Sequence, residues 1–151
     1  MPRGLAPLPP ESAAYIAGLI DGEGTVTLTR LHSNEMRRLV VSIANTEVQL
    51  LAFVRHQVGA GKITRKRAVS SRHTPSFCFS VTSRQALWLL GQVHGWMHSY
   101  KRDRAELALR LYQRLTPRNG KYTPMQQLQR QRFEAELLAL KPNSRTGDVT
   151  L

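Results

Sequence analysis

Apolar residues alternate with polar ones in some stretches of the chain and recur at helical spacing in others. Thr25-Val26-Thr27-Leu28-Thr29-Arg30 puts Val26 and Leu28 on one side of a strand and hydroxyl groups on the other. Arg37 to Ala44 repeats the alternation after a turn at His32-Ser33-Asn34-Glu35, which predicts a hairpin. Lys62 to Ala68 and Ser76 to Thr82 form a second such pair around a loop at Val69 to Pro75. Helical segments fall between and after the pairs. Ala13 to Ile20 is helix material, with Ser12 placed as its N-cap and Gly22 and Gly24 at its end. Glu47 to Val58 carries Val48, Leu51, Ala52, Val54 and Arg55 at helical spacing and stops at Gly59-Ala60-Gly61. Arg84 to His94 reads as a helix, and Leu107, Leu111 and Leu115 predict another between Lys101 and Leu115. Thr123-Pro124, an N-cap followed by proline at the first helical position, opens a last helix to Leu140. Residues 1–10 carry four prolines and read as an extended arm, and residues 142–151 as a polar tail. The expected architecture is one α+β domain over residues 1–151, ordered αββαββα with C-terminal helices.

Four strands in two hairpins should make one antiparallel sheet. Its inner face would hold Val26, Leu28, Leu39, Val41, Ile43, Ile63, Phe77, Phe79 and Val81. Period two then assigns Thr25, Thr27, Thr29, Arg38, Ser42, Lys62, Thr64, Lys66, Ser76 and Ser80 to the other face. That face is polar and basic and carries no acid. Solvated faces usually mix both signs, so one sign alone suggests a ligand of the opposite sign.

Composition sharpens this. The 151 residues carry 22 Lys and Arg against 10 Asp and Glu, a formal charge of +12. Residues 25–104 hold thirteen of the cations and three acids, Glu35, Glu47 and Asp103. This is either a solvated basic surface or the footprint of a polyanion binder, and the acid-free sheet favours nucleic acid. A single cysteine, Cys78, excludes a disulfide framework within the chain and any multi-cysteine zinc site. No apolar run approaches the length of a membrane span, and the Ala13–Ile20 stretch, short and followed by acids, is a poor signal peptide. His94 and His98 are four apart but have no third ligand near them in sequence, so zinc is not expected. Trp88 and Trp96 are expected in the core and Cys78 in the sheet.

The most informative segment is Ala14-Tyr15-Ile16-Ala17-Gly18-Leu19-Ile20-Asp21-Gly22-Glu23-Gly24. Ala14 and Gly18 lie on one helical face with Ala17 beside them, so a second backbone can come close. Asp21 and Glu23 then stand at the helix exit, where negative charge opposes the macrodipole. Two such helices side by side would converge four carboxylates, a setting for hard divalent cations such as Mg²⁺. A basic sheet beside divalent metal is suited to metal-assisted phosphodiester hydrolysis. The bland alternative is an apolar helix ending in a glycine-rich turn.

Ile16 to Gly24 resembles the motif of the LAGLIDADG homing endonucleases. Six of its nine positions match, namely Ala17, Gly18, Leu19, Ile20, Asp21 and Gly24, while Ile16, Gly22 and Glu23 depart mildly. In element order the resemblance covers about residues 13–115, closest at the motif and near Lys101. It implies a site-specific, divalent-metal-dependent DNA endonuclease, and since only one motif is present, a homodimer joined through Ala14, Ala17, Gly18 and Asp21. It implies Glu23 and the Gly22 carbonyl as metal ligands, with Mg²⁺ as the ion and Mn²⁺ or Ca²⁺ substituting in binding. It places a water-orienting residue at Asn45-Thr46-Glu47, where Glu47 is favoured and Asn45 is the alternative. A helix-stabilising acid is the plain reading of Glu47. Lys101 would sit near the scissile phosphate, or serve as one more phosphate contact. Base readers would be Thr27, Thr29, Arg38, Ser42, Lys62, Thr64 and Lys66, with Arg67, Arg72, Ser144 and Arg145 on phosphates. A first strand of about nine residues, about 30 Å, would span about nine base pairs, and two chains a pseudo-palindrome of about 18–22. An RNA-binding intron maturase and a DNA-binding regulator without catalysis are the competing functions. No membrane or small-molecule substrate is expected, and the protein would work inside the cell with its host DNA, in a bacterial cytoplasm or an organelle.

Overall fold

The alternating segments pair as their pattern requires. In a computed structural model, which describes residues 5–66, 72 and 74–142, the first hairpin is β1 (Gly24–Thr29) and β2 (Arg38–Asn45). The second is β3 (Lys62–Lys66) and β4 (Ser76–Thr82). Helix α1 (Pro10–Glu23) precedes the first hairpin, α2 (Val48–Val58) joins the two, and α3 (Ser83–Val93) follows the second. A 3-10 turn (His94–Trp96) leads to α4 (Tyr100–Leu111) and α5 (Pro124–Ala139). The four strands form one antiparallel sheet in the order β1-β2-β4-β3. The α+β expectation and the order αββαββα with C-terminal helices hold.

The inner face of the sheet supplies the core. Val26, Leu28, Leu39, Val41, Ile43, Phe79 and Val81 are buried with Ile16, Ala17 and Ile20 of α1, Leu51 and Val54 of α2, and Leu89 and Leu90 of α3. Ile63 and Phe77, expected beside them, are only partly buried against this cluster. Trp88 packs on the core, but Trp96, in the 3-10 turn, is about half exposed, contrary to expectation.

Local chemistry explains several boundaries. Helix α1 begins two residues before the expected N-cap, because Pro10 occupies the first turn, where no N–H is needed. Ser12 is therefore buried inside the helix, and its Oγ donates to Gln57 Oε1 at 2.8 Å. The proline-rich arm is anchored: Leu5 and Leu8 are buried, and the Leu8 N–H donates to Gln92 Oε1 at 3.2 Å. Gly59 ends α2 with φ 75°, a conformation that favours glycine. Thr123 and Gln126 form a reciprocal capping box at the start of α5. The expected reach of β3 to Ala68, and Arg67, Ser144 and Arg145, lie outside the described residues.

β1 is an edge strand, and edges need cover. Arg104 of α4 supplies it. Its guanidinium donates to the Val26 carbonyl (3.0 Å) and to the Leu140 and Leu138 carbonyls after and within α5 (2.8 and 3.3 Å).

Candidate functional site

Helix α1 carries its charge to the point where it becomes β1. It runs through Gly22 to Glu23, and Gly24 is already in the sheet. A Cβ on Gly24 would stand 2.7 Å from Ile20 Cα and 2.9 Å from the Ser42 carbonyl, so only glycine fits. This tight exit places the exposed Glu23 beside the end of β2. There the Asn45 Nδ2 donates to the Glu23 carboxylate. Asn45 Oδ1 accepts from the Glu47 N–H at 2.7 Å, which fixes the amide so that its NH₂ faces the acid. The side chain meeting Glu23 is thus Asn45, the alternative, rather than the favoured Glu47. Glu47 is the exposed N-cap of α2 and contributes its backbone N–H. The physical reason is the strand: Asn45 is the last residue of β2 and lies against the α1 exit, whereas Glu47 has already turned away into α2.

Asp21 and Lys101 clasp the same helix end. Asp21 accepts from the His98 N–H (2.7 Å), the Ser99 N–H (3.2 Å) and Ser99 Oγ (2.5 Å). Burial pushes its carboxyl up, but the Ser99 hydroxyl, the two amides and the Lys101 charge outweigh this and hold it below the ordinary value. Ser99 in turn N-caps α4 by accepting from the Lys101 N–H. Lys101 Nζ donates to the Ile20 carbonyl (3.0 Å) and the Asp21 carbonyl (2.9 Å). It therefore caps the C-terminus of α1 with positive charge, which compensates the two acids that oppose the macrodipole. Partial burial lowers the Lys101 ammonium from its ordinary value, with the Asp21 charge acting the other way.

The outer sheet face gathers the expected readers. Thr25, Ser42, Ser80 and Lys62 form a row across all four strands. The Thr25 and Ser42 hydroxyls share a hydrogen bond at 2.6 Å. Thr29 pairs with Arg38 at one end, and Lys66 with Ser76 at the other. Arg38, Lys62, Thr64, Lys66 and Thr29 are exposed, and Thr27 and Ser42 half-buried. Val40, Ala44, Cys78 and Thr82 share the face by register, so its middle is less polar than expected. Arg72 is exposed in the β3–β4 connection. β1 has six residues rather than nine, about 20 Å long. The face is longer than that because the two hairpin turns point opposite ways. Arg38 and Lys66 lie eight residue steps apart along the strands by register, about 27 Å.

On the open side of α1, Gly18 and Gly22 have nothing within 4 Å of a Cβ placed on them. Each weakens the helix by about 1 kcal/mol relative to alanine, and no contact among the described residues requires it. Tyr15 is exposed and meets the Phe53 ring of α2 edge-on at 5.6 Å. Of the other expected partner contacts, Ala17 is wholly buried in the core of its own chain, and the half-exposed Asp21 bonds residues 98–99. Ala14 and Gly18 remain accessible.

Among the described residues no group of three His, Cys, Asp or Glu could hold a metal within one chain. Glu23 and the Gly22 carbonyl provide one carboxylate and one backbone oxygen, short of the six oxygens a hard divalent ion takes. These are hard oxygen donors of the kind such an ion takes, but one chain alone does not complete a site. His94 instead lies 3.5 Å from Glu106 on α4, and His98 serves Asp21 through its backbone. No described helix is long and apolar enough to cross a membrane.

Sequence reasoning missed a buried polar cluster at the other end of β2. Arg130 and Glu134 of α5 are among the few buried charged residues, and they bond the backbone of Arg37. Their i,i+4 spacing looks like an ordinary exposed ion pair, and only their helical register with Phe133 and Leu137 hints at burial.

No family model and no curated protein matches the sequence. Solved structures do resemble the fold. The homing endonuclease I-CvuI, in complex with its target in the presence of calcium, superimposes with a TM-score of 0.71 at 16% identity, over 90% of this chain and 85% of that one. The meganuclease I-SmaMI bound to uncleaveable DNA gives 0.63 at 15% identity, over 82% of this chain and 43% of that one. The LAGLIDADG meganuclease I-AabMI bound to uncleaved DNA gives 0.60 at 17% identity, over 87% and 45%. The chain has the LAGLIDADG homing-endonuclease fold. It corresponds to most of the I-CvuI chain and to a little under half of the I-SmaMI and I-AabMI chains.

Proposed function

We propose that the protein is a site-specific double-stranded DNA endonuclease that acts as a homodimer with divalent metal. The observation that carries this reading is the exposed Glu23, oriented by Asn45 at the margin of an acid-free basic sheet face. An acid there repels phosphate unless a cation stands between them, so a plain DNA-binding protein has no use for it. The fold it shares with DNA-bound endonucleases supports the same conclusion.

Pairing of two α1 helices through Ala14, Gly18 and Gly22 would set two Glu23 carboxylates and two Gly22 carbonyls about one axis. Glu23 and Gly22 would hold the metal, with Mg²⁺ the ion expected. When bound, Mg²⁺ supplies activation of the attacking water and neutralisation of phosphate charge. This chain's residues do the rest. Asn45 holds the Glu23 carboxylate in place and is the better water-orienting candidate than Glu47. Lys101 holds the α1 exit rigid and lends positive potential near the scissile phosphate. Thr27, Thr29, Arg38, Ser42, Lys62, Thr64 and Lys66 face the bases, with Arg72 on phosphate. Sheet contact along the 27 Å face covers about eight base pairs per chain, so two chains and a central step give roughly 18 in a pseudo-palindrome.

The test is Glu23→Gln with wild type beside it, on a library of randomised sites. Wild type should select a long two-fold site and cut it with Mg²⁺. Glu23→Gln should bind that site as tightly or more tightly in a gel shift and leave it uncut. Cleavage retained by Glu23→Gln would refute the metal assignment, and a light-scattering monomer on DNA would refute the dimer.

A further inference from the structure

We propose that Tyr112, Arg130 and Glu134 are positioning residues that set base specificity through Arg38. The proposal rests on the DNA-binding reading above. It begins with a mismatch in the sheet. β2 pairs with β1 as far as Thr29 and Arg38, but its pairing with β4 begins only at Val40 and Thr82. β4 stops there because Ser83, with φ 55°, turns the chain into α3. The first residues of β2 therefore extend beyond their neighbour, with backbone groups that no strand takes up.

Side chains of the C-terminal helices take them up instead. The Leu39 N–H donates to Tyr112 Oη at 3.3 Å. The Arg37 N–H donates to Glu134 Oε1 at 2.6 Å, and the Arg37 carbonyl accepts from Arg130 Nη2 at 2.6 Å. Three side chains thus substitute for strand bonds on the two residues that bracket Arg38. All three are buried, with Arg130 only 1% exposed. Arg130 lies over the Tyr112 ring (4.7 Å to its centroid) and also donates to Thr116 Oγ1. Glu134 stands 3.9 Å from its Nε.

An apolar cluster of the same volume would fill this space at lower cost than a buried ion pair. It could not bond the backbone. The polar atoms are spent on the main chain on either side of Arg38, itself exposed at the sheet corner beside Thr29, beyond which the chain enters the 30–37 connection. An arginine discriminates guanine by a bidentate pair only when it arrives at a fixed place, and a loosely held one contacts any phosphate. Pinning residues 37 and 39 converts Arg38 from a mobile cation into a reader.

Removing Arg130 or Glu134 risks unfolding, so the test removes one hydroxyl. Sites are selected from a randomised library by wild type, Arg38→Ala, Tyr112→Phe and the double variant. Arg38→Ala should relax one base pair per half-site. Tyr112→Phe should relax the same base pair by about fivefold, the worth of one hydrogen bond, and leave the others unchanged. In the Arg38→Ala background it should change no base preference, although any loss of thermal stability should persist. Uniform weakening at all positions, or an equal effect of Tyr112→Phe without Arg38, would overturn the proposal while the DNA reading stands. A wild-type protein that selects no sequence would overturn both.

Discussion

A cluster of charged side chains stands at each end of β2, and the two clusters differ in one respect. At Asn45 the surrounding groups, Glu23, Asp21 and Lys101, are exposed or half-exposed. At Arg37 the groups, Arg130 and Glu134, are almost wholly buried. Both clusters bond backbone with ionised side chains. Solvent screens the first, so it adds little stability and leaves Glu23 open to a ligand. The second is shielded from solvent and spends its hydrogen bonds on Arg37 and Thr116, so it is closed to a ligand but holds its strand firmly. Exposure separates a site from a staple, although the residue types are the same.

The sharpest way to break this comparison is Glu134→Ala. It leaves Arg130 buried without its counter-ion and the Arg37 N–H without an acceptor, and should cost about 3–5 kcal/mol in denaturant unfolding. A loss below 1 kcal/mol would make the two ends alike. Next come two glycines of one motif with opposite signs. Gly24→Ala must push against the Ile20 backbone and the Ser42 carbonyl, and should lower stability by about 1–3 kcal/mol. Gly18→Ala faces open space and should stabilise the isolated chain by up to about 1 kcal/mol, while weakening the proposed self-association in a sedimentation experiment. The smallest effect is Asp21→Asn. A carboxyl held below its ordinary value of 3.8 contributes stability above that pH and loses it as pH falls through the folded value. The melting temperature of Asp21→Asn should therefore fall less steeply than wild type between pH 5 and pH 3, by an amount worth under about 1 kcal/mol. Parallel curves would remove the Asp21–Ser99 clasp from the account.

Much of this was legible in residue order. Alternation in Thr25–Arg30 and Ser76–Thr82 gave strands and faces, because a pleated backbone sends successive side chains to opposite sides. Thr123-Pro124 gave the start of α5, because capping is a local bond. Ser12 misled for a related reason: its cap chemistry is real, but Pro10 starts the helix earlier and leaves Ser12 to Gln57. The first strand is shorter than its alternation suggests, because pairing with β2 ends at Thr29 and Arg30 has no partner in the sheet.

The candidate site was half legible. Two acids at a helix exit stand out because they oppose the dipole. That Lys101 answers them from 80 residues away, that Asn45 rather than Glu47 reaches Glu23, and that Ala17 is core were decided by packing. By itself the sequence determined the elements, the basic sheet face and the acidic motif, all consequences of periodicity and local charge. Tertiary structure alone decided which cations stay exposed on the sheet and which are taken up by the backbone. Arg38, Lys62 and Lys66 stay exposed, while Arg104 and Arg130 of the same charge are bound to carbonyls. The reason is that backbone groups left over where strands end or lie at an edge must find partners when buried, and which side chain can reach them depends on contacts distant in the chain.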